Sequence, residues 1–184
     1  MGLILVRHTR PDVPEGLCYG RLDLALLDTF SDEAAAVLRA LPEVRRVVSS
    51  PLNRCRELAR YIAAAGDLPL DVDERLTEMD FGTWEGRPWS ALPASELDSW
   101  ANDFMHARPH GGESVAMLQS RVGEALGHWS ARQEPIAVVT HAGVIKAACS
   151  AGGTRARDFS VSVDFGGIMA LTSDRPRPYR ETGQ

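Results

Sequence analysis

The hydrophobic positions along the chain predict short strands that alternate with amphipathic helices. Two apolar runs of strand length, Leu3 to Val6 and Ile136 to Thr140, are each followed closely by a histidine, and Arg46 to Ser49 predicts a further strand. Apolar residues then recur at helical spacing from Leu52 to Gly66. This alternation predicts a three-layer α/β/α sandwich with a mostly parallel central sheet.

Helix boundaries are marked by capping residues. Ser31, followed by two acidic residues, is expected to cap a helix that Pro42 ends. Ser114 is expected to cap a second helix, and Val144 to Cys149 begins a third. The apolar face of the second helix consists of Val115, Leu118, Val122, Leu126 and Trp129.

The remaining segments have weaker patterns. Thr9 to Phe30 is a long connection without periodicity, which is typical of a functional loop. Phe159 to Phe165 and Ile168 to Leu171 are expected to form a final strand or hairpin. We expect one domain over residues 1–172, followed by a flexible tail over 173–184.

Composition narrows the class of protein. The chain has 184 residues, 44% of them hydrophobic, and it contains no apolar run long enough for a membrane span. A net charge of −5 argues against a nucleic-acid surface. The three cysteines form no CxxC pair, and no secretory leader precedes the first strand, so we expect a cytoplasmic protein in a reducing compartment.

Candidate chemistry lies where the strands end. His8 and His141 follow two predicted parallel strands, and ligands of open α/β sheets bind at the carboxyl ends of such strands. The alternative is two unrelated polar residues that merely cap strands. Arg7 beside His8, and Arg54 at the start of the helix after the second strand, favour an anion such as phosphate.

A carboxylate accompanies these cations. Glu78 lies in the loop-like block LTEMDFGTWEG among aromatic residues and glycines, where desolvation would raise the pKa of a carboxyl group and suit a proton donor. His106 and His110 have the spacing of a metal pair, but Pro109 breaks the helix that would align them, so they are not expected to bind a metal.

Five blocks in this order resemble the histidine phosphatase superfamily, also called the phosphoglycerate-mutase-like family. They are LVRHT, SSPLNRCRELA, LTEMDFGTWEG, GGES and VVTHAGVIKA, and the resemblance extends from Leu3 to about Leu171. It implies a phosphoglycerate-mutase-like fold.

The resemblance also implies roles for individual residues. His8 would be the nucleophile that becomes phosphohistidine, and Glu78 would protonate the leaving alkoxide and then activate water. Arg7, Arg54 and His141 would surround the phosphoryl oxygens, with His141 protonated for this role. No metal and no cofactor is implied, because these side chains supply the positive charge.

The first block departs from the family pattern R-H-G-E-T. Thr9 replaces the glycine, and its hydroxyl is expected to add a hydrogen bond to phosphate. Arg10 replaces the usual acid and would make the pocket mouth more positive; the alternative is a solvated surface arginine. Ala142 replaces a glycine after His141 and keeps its backbone N–H available. The family's phosphate-binding asparagine has no clear counterpart.

The substrate is a further expectation. CYGRLDLAL, from Cys18 to Leu26, resembles the form found in α-ribazole phosphatases, which makes Tyr19 and Arg21 candidates for contacting the rest of a small phosphate ester. The chain lacks the long insertion of the cofactor-dependent glycerate mutases, so hydrolysis is expected. Mutase-type phosphoryl transfer and a non-catalytic phosphate-binding module stay as alternatives. The oligomeric state stays open, with a homodimer one alternative.

Overall fold

A six-stranded sheet runs through the protein. The computed structural model describes residues 2–150, 152–171 and 176–178. The strands are β1 (Leu3–Arg7), β2 (Arg46–Ser49), β3 (Leu70–Val72), β4 (Ile136–Thr140), β5 (Ile168–Leu171) and β6 (Pro176–Pro178). Their order across the sheet is β3-β2-β4-β1-β5-β6, and the first four in this order pair in parallel. β5 pairs with β1 in the antiparallel direction, so the predicted mostly parallel sheet is confirmed.

Helices cover both faces of the sheet. They are α1 (Phe30–Ala40), α2 (Asn53–Gly66), α3 (Ala94–Asn102), α4 (Val115–Ser130) and α5 (Ala142–Cys149). Val6 and Val139 pack in one apolar cluster with α1 and α2, while Leu5 and Val138 pack in another with α4 and α5. Because neighbouring strand residues point to opposite faces, these two clusters confirm the three-layer α/β/α sandwich.

The pairing of β1 with β4 brings the two histidines to one edge. The register runs from Leu3 opposite Ile136 to Arg7 opposite Thr140. The His8 backbone N–H then donates to the Thr140 carbonyl at 3.0 Å, so the ladder continues to the residue after β1. β2 pairs with the other side of β4 and leads into α2, which places Arg54 in the first turn of α2 at the same edge.

Long loops close over this edge. The connection before α1 is joined to the loop after β3 by two backbone hydrogen bonds, from Cys18 N–H to the Arg87 carbonyl (2.9 Å) and from Gly86 N–H to the Cys18 carbonyl (2.7 Å). A third apolar cluster, centred on Cys18, Trp84 and Leu92, packs beneath them. The long connection is therefore an ordered wall of the edge.

The start of α1 differs from the prediction. The helix begins at Phe30 with Thr29 as the residue before it, and Ser31 lies inside its first turn instead of capping it. The Thr29 hydroxyl donates to the Glu33 carboxylate at 2.9 Å, and the Glu33 N–H donates to the Thr29 carbonyl at 3.1 Å. These bonds move the helix start by two residues. By contrast, Ser114 caps α4 as predicted and accepts the Met117 N–H at 3.2 Å.

The predicted strand over Phe159 to Phe165 is wrong. A 3-10 turn covers Ala156–Phe159, and no strand follows before β5 begins at Ile168 as expected. The Val163 carbonyl accepts a hydrogen bond from Arg7, and the Gly166 N–H donates to the carbonyls of Arg7 and His8. Backbone groups of this segment and of the turn after it therefore bond to residues at the end of β1 and do not pair with a neighbouring strand.

Three elements were not predicted from the pattern. β3 and α3 are short, and no residue of α3 is fully buried, so neither has a clear apolar period. β6 lies within the predicted tail, where it pairs with β5. Residues 172–175 and 179–184 of the tail region lie outside the described residues. Among the residues that are described, no helix combines the length and apolar character needed to cross a bilayer.

Candidate active site

His8 is almost completely buried, at 1% exposure, directly after β1. Its Nδ1 lies 2.6 Å from the Thr9 carbonyl oxygen. A carbonyl oxygen only accepts hydrogen bonds, so Nδ1 carries the proton and Nε2 keeps its lone pair. The backbone thus fixes the tautomer that suits a nucleophile attacking through Nε2.

The electrostatic surroundings keep this imidazole neutral. Burial, followed by the positive charge of Arg54, lowers the pKa of His8 from 6.5 to about 3, and the hydrogen bond to Thr9 opposes the shift. Arg7 adds a smaller effect in the same direction as Arg54. At neutral pH the lone pair of His8 is therefore available.

Arg54 is fully buried, and the long connection holds it. Its Nη1 donates to the Leu22 carbonyl and its Nη2 to the Gly20 carbonyl, each at 2.7 Å. Glu85 holds the other side of this loop by accepting the N–H groups of Arg21 at 2.9 Å and Leu22 at 3.0 Å. The loop is fixed between the Arg54 guanidinium and the Glu85 carboxylate. Arg54 is held by carbonyl groups, which do not neutralise its positive charge.

Arg7 is held by the segment before β5. Its Nη1 donates to the Val163 carbonyl at 2.7 Å, and its guanidinium carbon lies 3.9 Å from the centre of the Phe165 ring. That distance is typical of a cation–π contact. The ring of Phe165 also lies 5.6 Å from that of His8, so one aromatic side chain supports both residues.

Several buried donors at His8 have no hydrogen-bond partner among the described residues. Five buried side-chain N or O atoms are in this state, and three of them belong to this site: Arg7 Nε, Thr9 Oγ1 and Arg54 Nε. Leaving such a group unpaired costs about 1–3 kcal/mol. Two of the three belong to cations, so the cluster suits an anion with several acceptor oxygens.

His141 lies at the start of α5, with its ring centre 5.2 Å from that of His8. Its Nε2 is 2.7 Å from the Ser50 hydroxyl oxygen. Burial lowers the pKa of His141 well below its usual value, and the charges of His8 and Arg54 act in the same direction. The protein groups alone therefore favour neutral His141, whereas a doubly charged phosphoryl group beside it would favour the protonated form.

Glu78 faces the start of α5. Its Oε1 accepts the Met79 N–H at 2.9 Å, and its Oε2 accepts the Gly143 N–H at 3.1 Å. A Cβ atom at position 143 would lie 2.2 Å from Glu78 Oε1, so only glycine allows this approach. The carboxylate is fixed beside the cavity that contains His8.

Two cavities meet at Glu78. The first, of about 160 Å³, is lined by Arg7, His8, Leu17, Cys18, Tyr19, Gly20, Glu78, Phe81, Trp89 and Ala142. The second, of about 320 Å³, we call the aromatic chamber; it is lined by Glu78, Met79, Phe81, Trp89, Trp100, Phe104, Val115, Leu118, Ala142, Gly143, Lys146, Ala156 and Phe159. Glu78, Phe81, Trp89 and Ala142 line both. The chamber therefore adjoins the His8 cavity.

Of the other predicted site residues, some lie at the His8 cavity and some do not. Tyr19 and Ala142 line the His8 cavity, and Thr9 is completely buried next to His8. Arg10 is exposed and lines a different cavity, together with Arg7 and Phe165. Arg21 is also exposed and lines neither the His8 cavity nor the aromatic chamber.

Sequence reasoning missed three residues of the site. Ser50 lies in the SSPLNRCRELA block, but nothing in the sequence shows that it meets His141. Gly143 and Phe165 likewise act through close approach in space. His110 is buried against Trp84, with ring centres 4.7 Å apart, while His106 is exposed.

Comparisons with known proteins find a matching family model and similar proteins. A family model described as histidine phosphatase superfamily (branch 1) matches residues 3–178. The adenosylcobalamin/α-ribazole phosphatase of Escherichia coli (strain K12) is 32% identical over 154 residues, covering 79% of this chain and 75% of that protein. The glucosyl-3-phosphoglycerate phosphatase of Mycolicibacterium vanbaalenii is 30% identical over 165 residues, covering 81% and 72%. A crystal structure of the α-ribazole phosphatase from Shigella flexneri has a TM-score of 0.82 at 28% identity, covering 98% and 95%.

The fold and the matches define a phosphatase enzyme with a phosphoglycerate-mutase-like architecture. The chain belongs to the histidine phosphatase superfamily, branch 1, which confirms the resemblance carried by the five sequence blocks. The matched proteins include α-ribazole phosphatases, as the Cys18 to Leu26 stretch indicated. The relatives are named for different phosphate esters, so membership of the family does not identify the substrate of this chain.

The lowered pKa of His8 predicts how stability depends on pH. Below about pH 6.5 the unfolded chain binds a proton at His8 that the folded protein does not bind until about pH 3. The free energy of unfolding should therefore fall on acidification through this window, by up to about 1.4 kcal/mol per pH unit for this one group. His141 acts in the same direction.

Urea unfolding between about pH 7 and pH 5, where most carboxylates stay ionised, measures this effect. The free energy of unfolding should fall less steeply with decreasing pH for His8→Gln than for the wild type. The difference in slope should correspond to nearly one bound proton. His128→Gln, at an exposed position on α4, is the matched control and should follow the wild type. Parallel curves for wild type and His8→Gln would contradict the burial of neutral His8.

Proposed function

We propose that the protein is a metal-independent phosphomonoester hydrolase that works through a phosphohistidine at His8 on a small phosphorylated metabolite. The observation that carries the proposal is the cluster of unpartnered buried donors around a neutral imidazole. A phosphoryl group would supply acceptors for Arg7 Nε, Arg54 Nε and Thr9 Oγ1 at once. It would also sit against the free Nε2 of His8.

In the first step Nε2 of His8 attacks phosphorus. An N–P bond forms as the ester P–O bond breaks, and Glu78 in its protonated form gives its proton to the leaving oxygen. The position of Glu78 supports this role, because it lines both the His8 cavity and the aromatic chamber into which the leaving alcohol would extend.

In the second step water takes the place of the alcohol. Glu78, now a carboxylate, removes a proton from water as its oxygen attacks phosphorus, and the N–P bond to His8 breaks. Inorganic phosphate leaves, and the imidazole and the protonated Glu78 are restored. One carboxyl group thus serves both steps in opposite directions.

Positive charge stabilises the transition states of both steps. Arg7 and Arg54 are fixed before substrate arrives, so little reorganisation is needed. The bound phosphoryl dianion raises the pKa of His141 by Coulomb attraction, and protonated His141 then donates to a phosphoryl oxygen. With these three groups in place, the proposal needs no divalent metal ion.

The aromatic chamber supports the proposal that the alcohol part of the substrate carries a flat, apolar group. Its walls include Phe81, Trp89, Trp100 and Phe104, whose rings meet edge to face or tilted at centroid distances of 5.4 to 6.4 Å. Planar rings pack well against such walls. Together with the α-ribazole phosphatases among its relatives, this supports α-ribazole 5′-phosphate, a ribose 5-phosphate bearing a benzimidazole, as the substrate.

No specific observation favours the two alternatives. Mutase-type transfer is associated with a long insertion after the second helix, whereas here only residues 67–69 separate α2 from β3. A non-catalytic module would have no need of a neutral, tautomer-fixed His8 beside a fixed Glu78.

Hydrolysis of p-nitrophenyl phosphate in the presence of EDTA tests the activity. The wild type should turn over, with phosphate bound covalently and transiently to His8. His8→Ala should reduce kcat by at least ~10³-fold, because covalent catalysis is lost. Acid-quench trapping with ³²P-labelled substrate should label the wild type only. Activity in His8→Ala equal to that of the wild type would refute the phosphohistidine.

Glu78→Gln tests the proton donor. Nitrophenolate leaves without a proton, but a sugar alkoxide does not. Hydrolysis of the phosphohistidine also needs Glu78 and is common to both esters, so the comparison uses kcat/KM, which reports only the steps up to release of the alcohol. The variant should therefore lose roughly 10²- to 10⁴-fold in kcat/KM on ribose 5-phosphate and far less on p-nitrophenyl phosphate. Equal losses on both esters would contradict the assignment of Glu78 as the acid.

The chamber is tested with two esters of the same alcohol group. α-Ribazole 5′-phosphate and ribose 5-phosphate differ in the aromatic base, so the ratio of their kcat/KM values isolates its contribution. Phe104→Ala should lower kcat/KM roughly tenfold or more for the first, since apolar contact is lost, and leave the second within about twofold. Phe30→Ala, at a half-buried aromatic on α1 packed against Tyr61, is the control. A wild-type ratio near one would overturn the substrate proposal while leaving the hydrolase standing.

A further inference from the structure

An ion pair outside the His8 cavity lies under the segment that carries Glu78. Arg121, on α4, and Glu113, just before α4, are 17% and 7% exposed at their side chains. Arg121 Nε donates to Glu113 Oε1 at 2.6 Å, and Nη2 donates to Oε2 at 2.8 Å. This is the two-pronged geometry that makes an arginine–carboxylate pair strong and directional.

The remaining donors of Arg121 all go to the backbone around Glu78. Nη1 donates to the carbonyls of Arg75 at 2.7 Å and Thr77 at 2.6 Å, and Nη2 donates to the Glu78 carbonyl at 3.1 Å. An arginine has five N–H donors, and here each has an acceptor. One side chain therefore fixes three carbonyl groups within four residues of chain.

Glu113 fixes the other end of the segment. Its backbone N–H donates to the Asp80 carbonyl at 2.8 Å. The neighbouring Gly112 lets its segment approach the segment at Asp80 closely, since a Cβ there would lie 2.2 Å from the Asp80 carbonyl oxygen. Residues 75–80 are thus held at both ends by one ion pair and the backbone beside it.

We propose that the Arg121–Glu113 pair is a positioning device for the acid–base function of Glu78. Neither residue lines the His8 cavity or the aromatic chamber, so the pair does not touch the phosphoryl group and reaches Glu78 through its backbone. A misplacement of about 1 Å of a catalytic group can cost ~10²-fold in rate. The inference rests on the proposed role of Glu78 as acid and base.

Arg121→Lys tests this inference, because lysine keeps the charge but has no planar fork to reach Glu113 and three carbonyls together. On ribose 5-phosphate, kcat/KM, which excludes the dephosphorylation step common to all esters, should fall roughly 10- to 100-fold. On p-nitrophenyl phosphate it should fall by less than about threefold, since that leaving group needs no proton. The affinity for vanadate should change little, because the phosphate-binding residues are untouched.

Arg46→Lys is the matched control. Arg46 lies at the start of β2, its side chain is 19% exposed, and it pairs with two carboxylates, Asp71 and Glu134. Losing this fork should cost a similar amount of stability, and any change in kcat/KM should be the same for both esters. A leaving-group-dependent loss in Arg46→Lys would show that general destabilisation causes the effect and would overturn the inference.

A double-variant cycle gives the decisive readout. In the Glu78→Gln background, Arg121→Lys should cause no further loss on ribose 5-phosphate, because the group that it positions is already gone. Additive losses, or equal losses on both esters, would overturn the positioning role while wild-type hydrolysis still supports the proposed function. Absence of wild-type phosphatase activity would instead refute the proposed function itself.

A second variant covers poor folding of Arg121→Lys. Removing Arg121 alone leaves the Glu113 carboxylate buried without its partner, which destabilises the fold. The double variant Glu113→Gln/Arg121→Met removes both charges together and avoids this destabilisation. Thermal unfolding checks that the protein is folded. The same selective loss of kcat/KM on ribose 5-phosphate is expected, and a wild-type kcat/KM on that ester would overturn the inference.

Discussion

The parallel pairing of β1 with β4 is the constraint on which the site depends. His8 donates its backbone N–H to Thr140, and Ser50 donates its own to Val139, so the ladders continue past the ends of β1 and β2. A slip of two residues would displace His8 from His141 by about 6.6 Å, and a slip of one would turn its side chain to the other face of the sheet. The apolar residues that fix this register in the core therefore also fix the distance between the two imidazoles.

Positive charge at this edge is held without being neutralised. Arg54 is bound by carbonyl groups, and Arg7 by a carbonyl and an aromatic face. Among the described residues neither has a carboxylate within ion-pair distance, whereas Arg46 and Arg121 do. Carbonyl dipoles orient a guanidinium but leave its net charge, so the pocket stays attractive to an anion. After burial, which has the larger effect, the same charge helps to keep His8 unprotonated. In the proposed mechanism the charge that binds the anion therefore also favours the nucleophile.

The sequence predicts those parts of the site that depend on short stretches of chain. Arg7, His8 and His141 are placed by strand ends, and Arg54 by the turn into α2, so local patterns and the five blocks find them. The approach of Gly143 to Glu78 and the contact of Phe165 with Arg7 arise only when distant segments meet. The Phe159 to Phe165 stretch alternates like a strand, but Arg7 and the Gly166 turn use its backbone groups, and no periodicity reveals that competition.

The unusual segment after His8 acts on two sides of the pocket. Thr9 is fully buried with an unpartnered hydroxyl, whereas Arg10 turns outward, its N–H bonded to Glu33 at 2.9 Å and its guanidinium 5.7 Å from the Phe165 ring. Under the proposed function, the Thr9 change bears on the phosphoryl end of the site, whereas Arg10 lies over the Phe165 ring that also contacts Arg7. Neither reaches the aromatic chamber. Under the proposed function, discrimination between alcohols then depends on the chamber walls. Their aromatic residues Phe81, Trp89, Trp100 and Phe104 belong to loops and short helices that the sequence pattern did not predict, whereas α4 and α5 supply the predicted part of the lining.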